Sequence, residues 1–409
     1  MPINSLPVRQ EVAAETLRVL FNNTPALRMV SREYQSYFEQ STPIGTILQI
    51  PRPWRPQGRQ GQGFSPEPVV QTTCPLAISY WRGGDFIYND TDENLFFDMP
   101  RFHKKYSGPM GVMIAGQVES DLETFMQATS PNFVGTPGTL PTLTSTYNSA
   151  RTSLNKLLAM DQGRAIIWPS EYEANMVGLS QTLFQPDQTK PYLEGVIGKY
   201  AGFTFARSEM IPGITIGTYA GAGAMNGANQ QGSSIVTNGW NAASLSLTTV
   251  DKLTIAGCFK VNPSGVHNAY TGTANLMQFS VTQAVVDAGG AATIQIYPPM
   301  ITSGQFQNCT NPANSAAITI SGASGATANT ALFFQEDAFT SAFLKLHKPS
   351  NVECTIVGGD DHGTPGIYLR NIKQWQSAGA YAGYETDRSD VIYGFGAMYA
   401  DLHAGVVYG

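Results

Sequence analysis

The sequence has few charged side chains. Only 13% of its 409 residues are Asp, Glu, Lys or Arg, about half of the ~25% that is usual in soluble domains. The 24 basic and 30 acidic residues give a net charge of -6, so the chain lacks the basic footprint typical of sequence-specific nucleic-acid recognition. Because 42% of the residues are hydrophobic and 11% aromatic, the chain can bury a core and does not have the composition of a disordered protein.

Cysteines and targeting signals are also sparse. The four cysteines, Cys74, Cys258, Cys309 and Cys354, are far apart and form no CxxC pair, which predicts buried thiols and neither a zinc site nor a disulfide framework. The first residues contain neither a basic nor an apolar segment, so no signal peptide is predicted. No apolar run approaches the ~20 residues that span a bilayer. We therefore expect synthesis in a cytoplasm and no membrane partner.

Motifs of common enzyme classes are missing as well. The sequence contains no Walker loop, no strand followed by GxGxxG and no GxSxG elbow. The candidate for metal chemistry is Asp360, Asp361 and His362 in a glycine-rich loop, although adjacent residues point in different directions and a solvated turn is the favoured interpretation. We expect no catalysis, no cofactor and no metal.

The shortage of charge is concentrated in one segment. Residues 213–330 contain four charged side chains in 118 residues, namely Asp251, Lys252, Lys260 and Asp287. Short β-rich runs, separated by turns rich in Gly, Asn and Pro, recur there every ten to fifteen residues or so, as in a small β-barrel or sandwich. The predicted strands lie at 243–250, 252–259, 275–286, 292–301 and 316–322. Charge returns on both sides, so the segment is predicted to be a domain inserted into a parent domain.

Helical periodicity is clearest in the first half of the chain. Residues 8–21 predict a short amphipathic helix, and residues 110–128 predict the longest helix, with Glu119, Asp121 and Glu123 mostly on its polar side. Between 147 and 212 the pattern alternates helix, strand, helix and strand, which is typical of an α/β sheet domain. Its predicted elements are helices at 149–160, 170–184 and 191–197 and strands at 164–169 and 202–210.

Two further segments flank these elements. Residues 51–64 hold three Pro, three Gly and three Arg but no acid, which predicts an exposed excursion in which Arg52, Arg55 and Arg59 contact phosphate or a neighbour's carboxylates, or are simply solvated. Residues 76–88 predict two strands about a Gly83-Gly84 turn. After the insertion, residues 331–346 show helical spacing, and strand patterns follow at 353–359, 366–375, 388–399 and 403–409.

This order of segments resembles the major coat protein of tailed bacteriophages, in the subfamily of short-tailed phages whose coat protein carries an inserted domain. Local similarities within the insertion are Leu253–Phe259, Phe279–Val281 and Ile294–Pro298. Leu332–Phe339 is similar to the segment at which the chain of these coat proteins re-enters the parent domain. Arg388–Gly394 is similar to the segment near their C-terminus. The resemblance covers essentially the whole chain, and each motif alone is only moderately specific.

The resemblance implies an α+β fold of the Hong-Kong-97 capsid type. Its expected parts are an N-terminal arm, an E-loop hairpin, a P-domain with the spine helix, the first part of an α/β A-domain, an inserted all-β barrel-like domain, and a return to the A- and P-domains. The corresponding ranges are 1–41, 42–100, 101–146, 147–212, 213–330 and 331–409.

The implied function is self-assembly, as hexamers and pentamers, into an icosahedral shell around double-stranded DNA, with a scaffolding protein and a portal protein as partners. The subunit would be made in the host bacterial cytoplasm and end in the virion. The candidate contact residues are Arg52, Arg55 and Arg59 in the E-loop, and Asp251, Lys252, Lys260 and Asp287 in the insertion. The alternative is a β-rich tail, fibre or surface-binding component, which predicts β-structure throughout and a trimer.

Overall fold

The chain folds as a mixed α+β protein. A computed structural model describes residues 8–39, 45–56, 61–64, 66, 68–89, 103–141, 144–180, 198–261, 275–350, 352–359, 364–375 and 383–409. The chain divides into two compact units. Unit 1 comprises Met1–Ile50, Cys74–Leu122 and Phe339–Gly396, and unit 2 comprises Pro51–Thr73, Glu123–Ala338 and Ala397–Gly409.

The helices are short apart from one. In chain order, α1 to α7 are Val8–Asn22, Pro25–Met29, Gln35–Glu39, Gly108–Thr129, Ser145–Lys156, Ser170–Ser180 and Ala400–His403. A π-helical turn, His103–Ser107, directly precedes α4. The predictions at 8–21 and 110–128 are confirmed by α1 and α4. The helix at 149–160 begins and ends four residues earlier than predicted, and residues 191–197 lie outside the described residues.

The strands fall into three consecutive groups along the chain. Before the charge-poor sheet, β1 to β7 are Ile47–Pro51, Thr73–Asn89, Asn132–Val134, Arg164–Trp168, Lys199–Tyr200, Phe203–Arg207 and Ile214–Thr215. Next, β8 to β15 are Gly221–Met225, Gly232–Trp240, Ser246–Leu247, Lys252–Phe259, Leu276–Val281, Val285–Val286, Ala292–Met300 and Ile318–Ile320. Finally, β16 to β22 are Thr327–Ala328, Thr330–Gln335, Phe339–Phe343, Glu353–Gly359, Thr364–Trp375, Tyr384–Ala397 and Ala404–Tyr408.

A long antiparallel sheet dominates unit 1, with strand order β1-β2-β21-β20-β19 and β18 paired to β21. The predicted Gly83-Gly84 turn is wrong, because β2 continues through both glycines and pairs with β21 as far as Asn89. A Cβ on Gly83 would lie 2.3 Å from the carbonyl oxygen of Ser389, and one on Gly84 would lie 2.5 Å from Met113 Cε. The two glycines therefore allow close packing within a continuous strand.

The mixed sheet of unit 2 has the order β3-β22-β17-β4-β6-β5. Strands β4 and β17 lie in its middle and are buried at every position. The predicted helix at 331–346 is wrong, because these residues form β17, a 3-10 turn at Glu336–Ala338 and β18. A strand buried on both faces is apolar without alternation, so its spacing can be mistaken for that of a helix.

The charge-poor residues form a closed, all-antiparallel sheet, which we call the barrel (residues 221–320). Its strand order is β15-β11-β12-β14-β9-β8. It closes where β8 meets the residues just before β15, with an isolated bridge between Ala224 and Ala317 and a hydrogen bond from Met225 N–H to Ala316 O at 2.9 Å. Strand β14 alternates buried and less buried residues along its length, as a barrel wall requires. The predicted strand at 243–250 is reduced to β10, because only Ser246 and Leu247 find a partner strand, β13.

A two-stranded antiparallel ribbon joins the chain segments before and after the barrel. It consists of β7 and β16, with Ile214 opposite Ala328 and Thr215 opposite Thr327. The chain therefore leaves the mixed sheet of unit 2 and returns to it through adjacent strands.

Candidate functional site

Residues 52–72 connect β1 to β2 and are assigned to unit 2; we call this segment the exposed loop, after the exposure of its described residues from 61 onward. The backbone N–H of Arg52 donates to Thr72 O at 2.7 Å and closes its base. The described residues between 61 and 72 are all exposed, including Phe64 at 91% and Val69 at 67%. Exposed apolar side chains in one segment mark a candidate interaction surface.

The loop arginines have partners within their own unit. The Arg52 guanidinium forms an ion pair with Asp401 at 3.1 Å and lies over the Tyr399 ring. Arg55 lies over the Phe306 ring, 6.0 Å from its centroid, and burial lowers its pKa despite the nearby Asp401 carboxylate. Arg59 lies outside the described residues. Contact of these arginines with a neighbouring subunit stays a prediction.

Asp251 is fully buried at the turn before β11. Its carboxylate accepts hydrogen bonds from the backbone N–H of Gly217 at 3.0 Å and of Thr248 at 2.6 Å, and from the Thr248 hydroxyl at 3.1 Å. Burial raises its pKa, and these hydrogen bonds oppose the rise because they favour the ionised form. Asp251 thus fixes two backbone turns.

Lys252 connects the barrel to the C-terminal end of α4. Its ammonium group donates to Gln127 O at 2.9 Å and to Ser280 Oγ at 2.8 Å, and Ser280 Oγ donates to Ser130 O at 3.2 Å. A cation at a helix C-terminus binds carbonyl groups that lack intrahelical partners. Burial lowers the pKa of Lys252 to about 7, although the Asp251 charge opposes this shift.

Lys260 joins the barrel to β3. Its ammonium group donates to Asn132 Oδ1 at 2.6 Å and to Gln278 Oε1 at 3.1 Å. Gln278 in turn pairs with the Phe133 backbone, donating to the carbonyl oxygen at 2.8 Å and accepting from the N–H at 3.2 Å. Burial, followed by the positive charge of Lys156, lowers the pKa of Lys260 to about 7.

Asp287 closes the connection after β13. Its carboxylate accepts from three backbone N–H groups, those of Ala243, Leu245 and Gly290, at 2.8 to 3.0 Å. These hydrogen bonds lower its pKa. All four charged residues of the insertion therefore have partners within the chain, and at 0% and 1% exposure Asp251 and Lys252 lie away from its surface. Their contact with neighbouring capsomers stays a prediction.

Sequence reasoning missed a charged cluster on the unit 1 sheet. The Arg370 and Arg388 guanidiniums each lie 5.9 Å from the ring centroid of Trp81. Both pair with the buried Asp390 carboxylate, at 2.7 and 2.8 Å, which also accepts from the Trp81 indole N–H at 3.2 Å. The residues come from β2, β20 and β21, so only the strand register reveals the cluster.

The sequence-based prediction for the carboxylates of α4 is also wrong for two of the three. Glu119 and Glu123 were expected on the polar side of the helix, yet both are buried. In unit 1, Glu119 Oε1 accepts from the Ala26 N–H at the start of α2, at 2.7 Å. In unit 2, burial raises the pKa of Glu123 to about 8, with a smaller opposing effect from the Ser208 hydroxyl. The sequence signal for such burial is the i, i+4 spacing of the two glutamates beside the apolar stripe.

The candidate metal residues Asp360, Asp361 and His362 lie outside the described residues. Within the described part of the chain, no group of three or more His, Cys, Asp or Glu side chains is placed to hold a metal ion. None of the helices described there combines the length and apolarity needed to span a bilayer.

The chain matches no protein family model and no curated protein. It is similar to a solved structure from Mycobacterium phage Che8, with 11% identity, 93% of this chain and 88% of that chain covered, and a TM-score of 0.46. The capsid structure of the cyanophage P-SCSP1u gives 14% identity, 89% and 83% coverage, and a TM-score of 0.43. The mature capsid of bacteriophage PhiM1 gives 9% identity, coverage of 89% of this chain and 82% of that chain, and a TM-score of 0.41. At these TM-scores the likeness decides neither fold nor function.

Proposed function

We propose that the chain is the major capsid protein of a tailed phage, a structural subunit without catalysis that assembles into an icosahedral shell. The observation that carries this proposal is the exposure of apolar side chains in the exposed loop. Phe64, Val69 and Val70 are not buried by the described part of their own chain. A shell repeats one subunit–subunit contact many times, so a reaching segment with apolar tips suits it. The resemblance of the whole sequence to coat proteins supports the same function.

The domain layout belongs to the same proposal. The arm at 1–41, the E-loop at 42–100, the P-domain at 101–146, the A-domain at 147–212 with its return at 331–409, and the insertion at 213–330 follow the coat-protein pattern. Helix α4, the longest helix among the described residues, suits the spine helix of that pattern. The closed barrel between β7 and β16 suits the inserted domain.

Partners and location are proposed on the same basis. The subunit would be made in the host bacterial cytoplasm, assemble as hexamers and pentamers with a scaffolding protein and a portal protein, and enclose double-stranded DNA without reading its sequence. The net charge of -6 argues against strong binding of DNA by the subunit as a whole, since non-specific affinity depends on basic residues that neutralise phosphates.

We also propose an internal function for two of the insertion charges. Asp251 fixes the turns at the barrel entrance, and Lys252 binds the C-terminal carbonyls of α4. The barrel would then steady the end of the helix within unit 2. The alternative function, a β-rich tail or fibre component, requires β-structure throughout and is disfavoured by the 22 residues of α4 and the 12 of α5.

Electron microscopy of the full chain, expressed alone and with a candidate scaffolding protein, tests the proposed function. Uniform closed shells are expected, and compact monomers or rods under both conditions contradict it. Replacing Phe64, Val69 and Val70 together by Ser should abolish shells while leaving the melting temperature of the free chain unchanged. The matched control is Val286→Ser, which removes another exposed apolar side chain, 72% exposed, and should leave shells intact.

The loop arginines need a separate test. Arg52→Ala removes an ion pair with Asp401 inside unit 2, so its effect on shells would mix folding with assembly. Arg55→Ala has the same drawback, because Arg55 lies over the Phe306 ring. Arg59→Ala should weaken shells against denaturant while the free chain unfolds as wild type does. Shells of normal resistance would remove Arg59 from the proposed contact.

A further inference from the structure

Unit 2 contains a cleft whose lining includes one candidate contact residue of the insertion, Lys260, and no residue of the exposed loop. Its volume is about 700 Å³, and its walls come from α5, β3 and the barrel strands β11, β12 and β15. This volume lies within the ~300–1,000 Å³ typical of small-ligand sites.

The charged side chains among the described residues of the cleft are all positive. The described residues that line it include two lysines, Lys156 and Lys260, and no Asp or Glu. Hydroxyl groups supply most of the remaining polarity, among them those of Ser153 on α5 and of Thr254 and Thr319 on the barrel. Ammonium groups beside hydroxyl donors, with no carboxylate in the same wall to compete, are suited to binding an oxyanion.

Neutral amides hold the two lysines in place. The Lys156 ammonium donates to Asn275 Oδ1 at 2.6 Å. The Lys260 ammonium donates to Asn132 Oδ1 at 2.6 Å and to Gln278 Oε1 at 3.1 Å. An amide oxygen orients an ammonium group but carries no net charge to cancel that of the ammonium.

The two lysines also repel each other. The positive charge of Lys156 adds to burial in lowering the pKa of Lys260. An anion placed between them would attract both charges and offset that repulsion. A bound anion would also favour the protonated form of Lys260, against the burial that lowers its pKa to about 7.

We propose that this cleft binds a phosphate group, carried by inorganic phosphate or by a nucleoside monophosphate. Lys156 and Lys260 supply the charge, and the hydroxyls of Ser153 and Thr254 supply neutral donors. Phosphate suits the cleft better than a carboxylate because its oxygens point in several directions and can meet donors from both α5 and the barrel.

Isothermal titration calorimetry of the full chain at low ionic strength tests this site. Inorganic phosphate, a nucleoside monophosphate and acetate are titrated in separate arms. One saturable site per chain is expected for at least one of the phosphate ligands, and which of them binds more tightly identifies the source of the phosphate. No saturable phosphate binding by the folded wild-type chain, or acetate binding as tight as that of phosphate, overturns the proposal.

Three variants locate the binding. The double variant Lys156→Met with Lys260→Met should weaken phosphate binding by about tenfold or more, since each ammonium contributes a charge-assisted contact. Ser153→Glu places a carboxylate in the cleft from the half-buried face of α5 and should have a similar effect without removing any lysine contact, which keeps the test valid if the double variant fails to fold. The control Lys199→Met removes an exposed lysine elsewhere in unit 2 and should bind like wild type. Unchanged binding by folded Ser153→Glu also overturns the proposal.

Discussion

Charged side chains have different partners in residues 213–330 and in unit 1. In the insertion, Asp251 and Asp287 accept hydrogen bonds from backbone N–H groups, and Lys252 donates to a backbone carbonyl and a hydroxyl. In unit 1, by contrast, arginines pair with carboxylates, as Arg370 does with Asp390. A segment with few charges thus uses each of them to satisfy buried polar groups, while a segment with more charges pairs them with one another.

The largest effect is expected at Asp251. Asp251→Ala leaves the Gly217 and Thr248 N–H groups without their buried acceptor, which should lower the free energy of unfolding by about 3–5 kcal/mol. Urea denaturation measures this change. Asp251→Asn keeps one oxygen acceptor without the charge and should recover part of the loss. Equal losses for the two variants would show that the charge, and not the acceptor, matters here.

The pH dependence of stability should depend on Lys252. Its folded-state pKa is about 7 against ~10.4 for an unperturbed lysine, so between these values the unfolded chain binds the extra proton. Stability therefore rises with pH across this window. Lys252→Met should reduce the slope by up to about 1.4 kcal/mol per pH unit, and Lys260, shifted in the same direction, contributes a slope of the same sign.

Chemical denaturation at several pH values between neutral and alkaline measures that slope. The exposed Lys199→Met serves as the control and should leave the slope unchanged. If Lys252→Met gives the wild-type slope, Lys252 has an ordinary pKa in the folded chain, which contradicts the prediction.

The ion-pair cluster of unit 1 should show a smaller, salt-sensitive effect. Asp390→Asn removes the charge shared by Arg370 and Arg388 and should cost about 1–3 kcal/mol. Part of this loss should disappear at high salt, since partly exposed guanidiniums are screened. Glu33→Gln, at an exposed position of the same unit, is the matched control. A loss of stability that is independent of salt would mean that Asp390 acts like Asp251. It would then contradict the contrast between ion pairs in unit 1 and charge-to-backbone hydrogen bonds in the insertion.

The smallest effect is expected at Arg82. Its guanidinium forms two hydrogen bonds with Asp121, at 2.7 and 2.8 Å, yet 43% of the arginine side chain is exposed. Arg82→Ala should therefore cost about 0.2–1 kcal/mol at low salt and almost nothing at ~1 M salt. Thermal melting at the two salt concentrations measures the difference, and a cost that persists in high salt contradicts it.

Strands and helices with a clear period could be predicted from the sequence. The barrel strand at 252–259 and the α4 helix match their predicted positions to within two residues. Predictions failed where the period was absent or misleading. Residues 331–346 are buried on both faces and carry no alternation, and the glycine pair in β2 permits close packing instead of a turn. Both outcomes depend on tertiary neighbours that are distant in sequence.

The candidate site residues show a similar division. The sequence located the four charges of the insertion, because their scarcity makes them conspicuous, and it located the exposed loop by composition. It did not reveal that Lys252 contacts Gln127, 125 positions away, or that the guanidiniums of Arg370 and Arg388 both lie near the Trp81 ring. Such contacts are determined by strand register and by packing between strands and helices, neither of which is a local property.

The ribbon of β7 and β16 bears on how such a subunit could arise. Because Ile214 and Ala328 face each other, a short turn could join the two strands directly and leave the mixed sheet with its connectivity intact. A single recombination event could then add or remove the whole barrel without rewiring the parent fold.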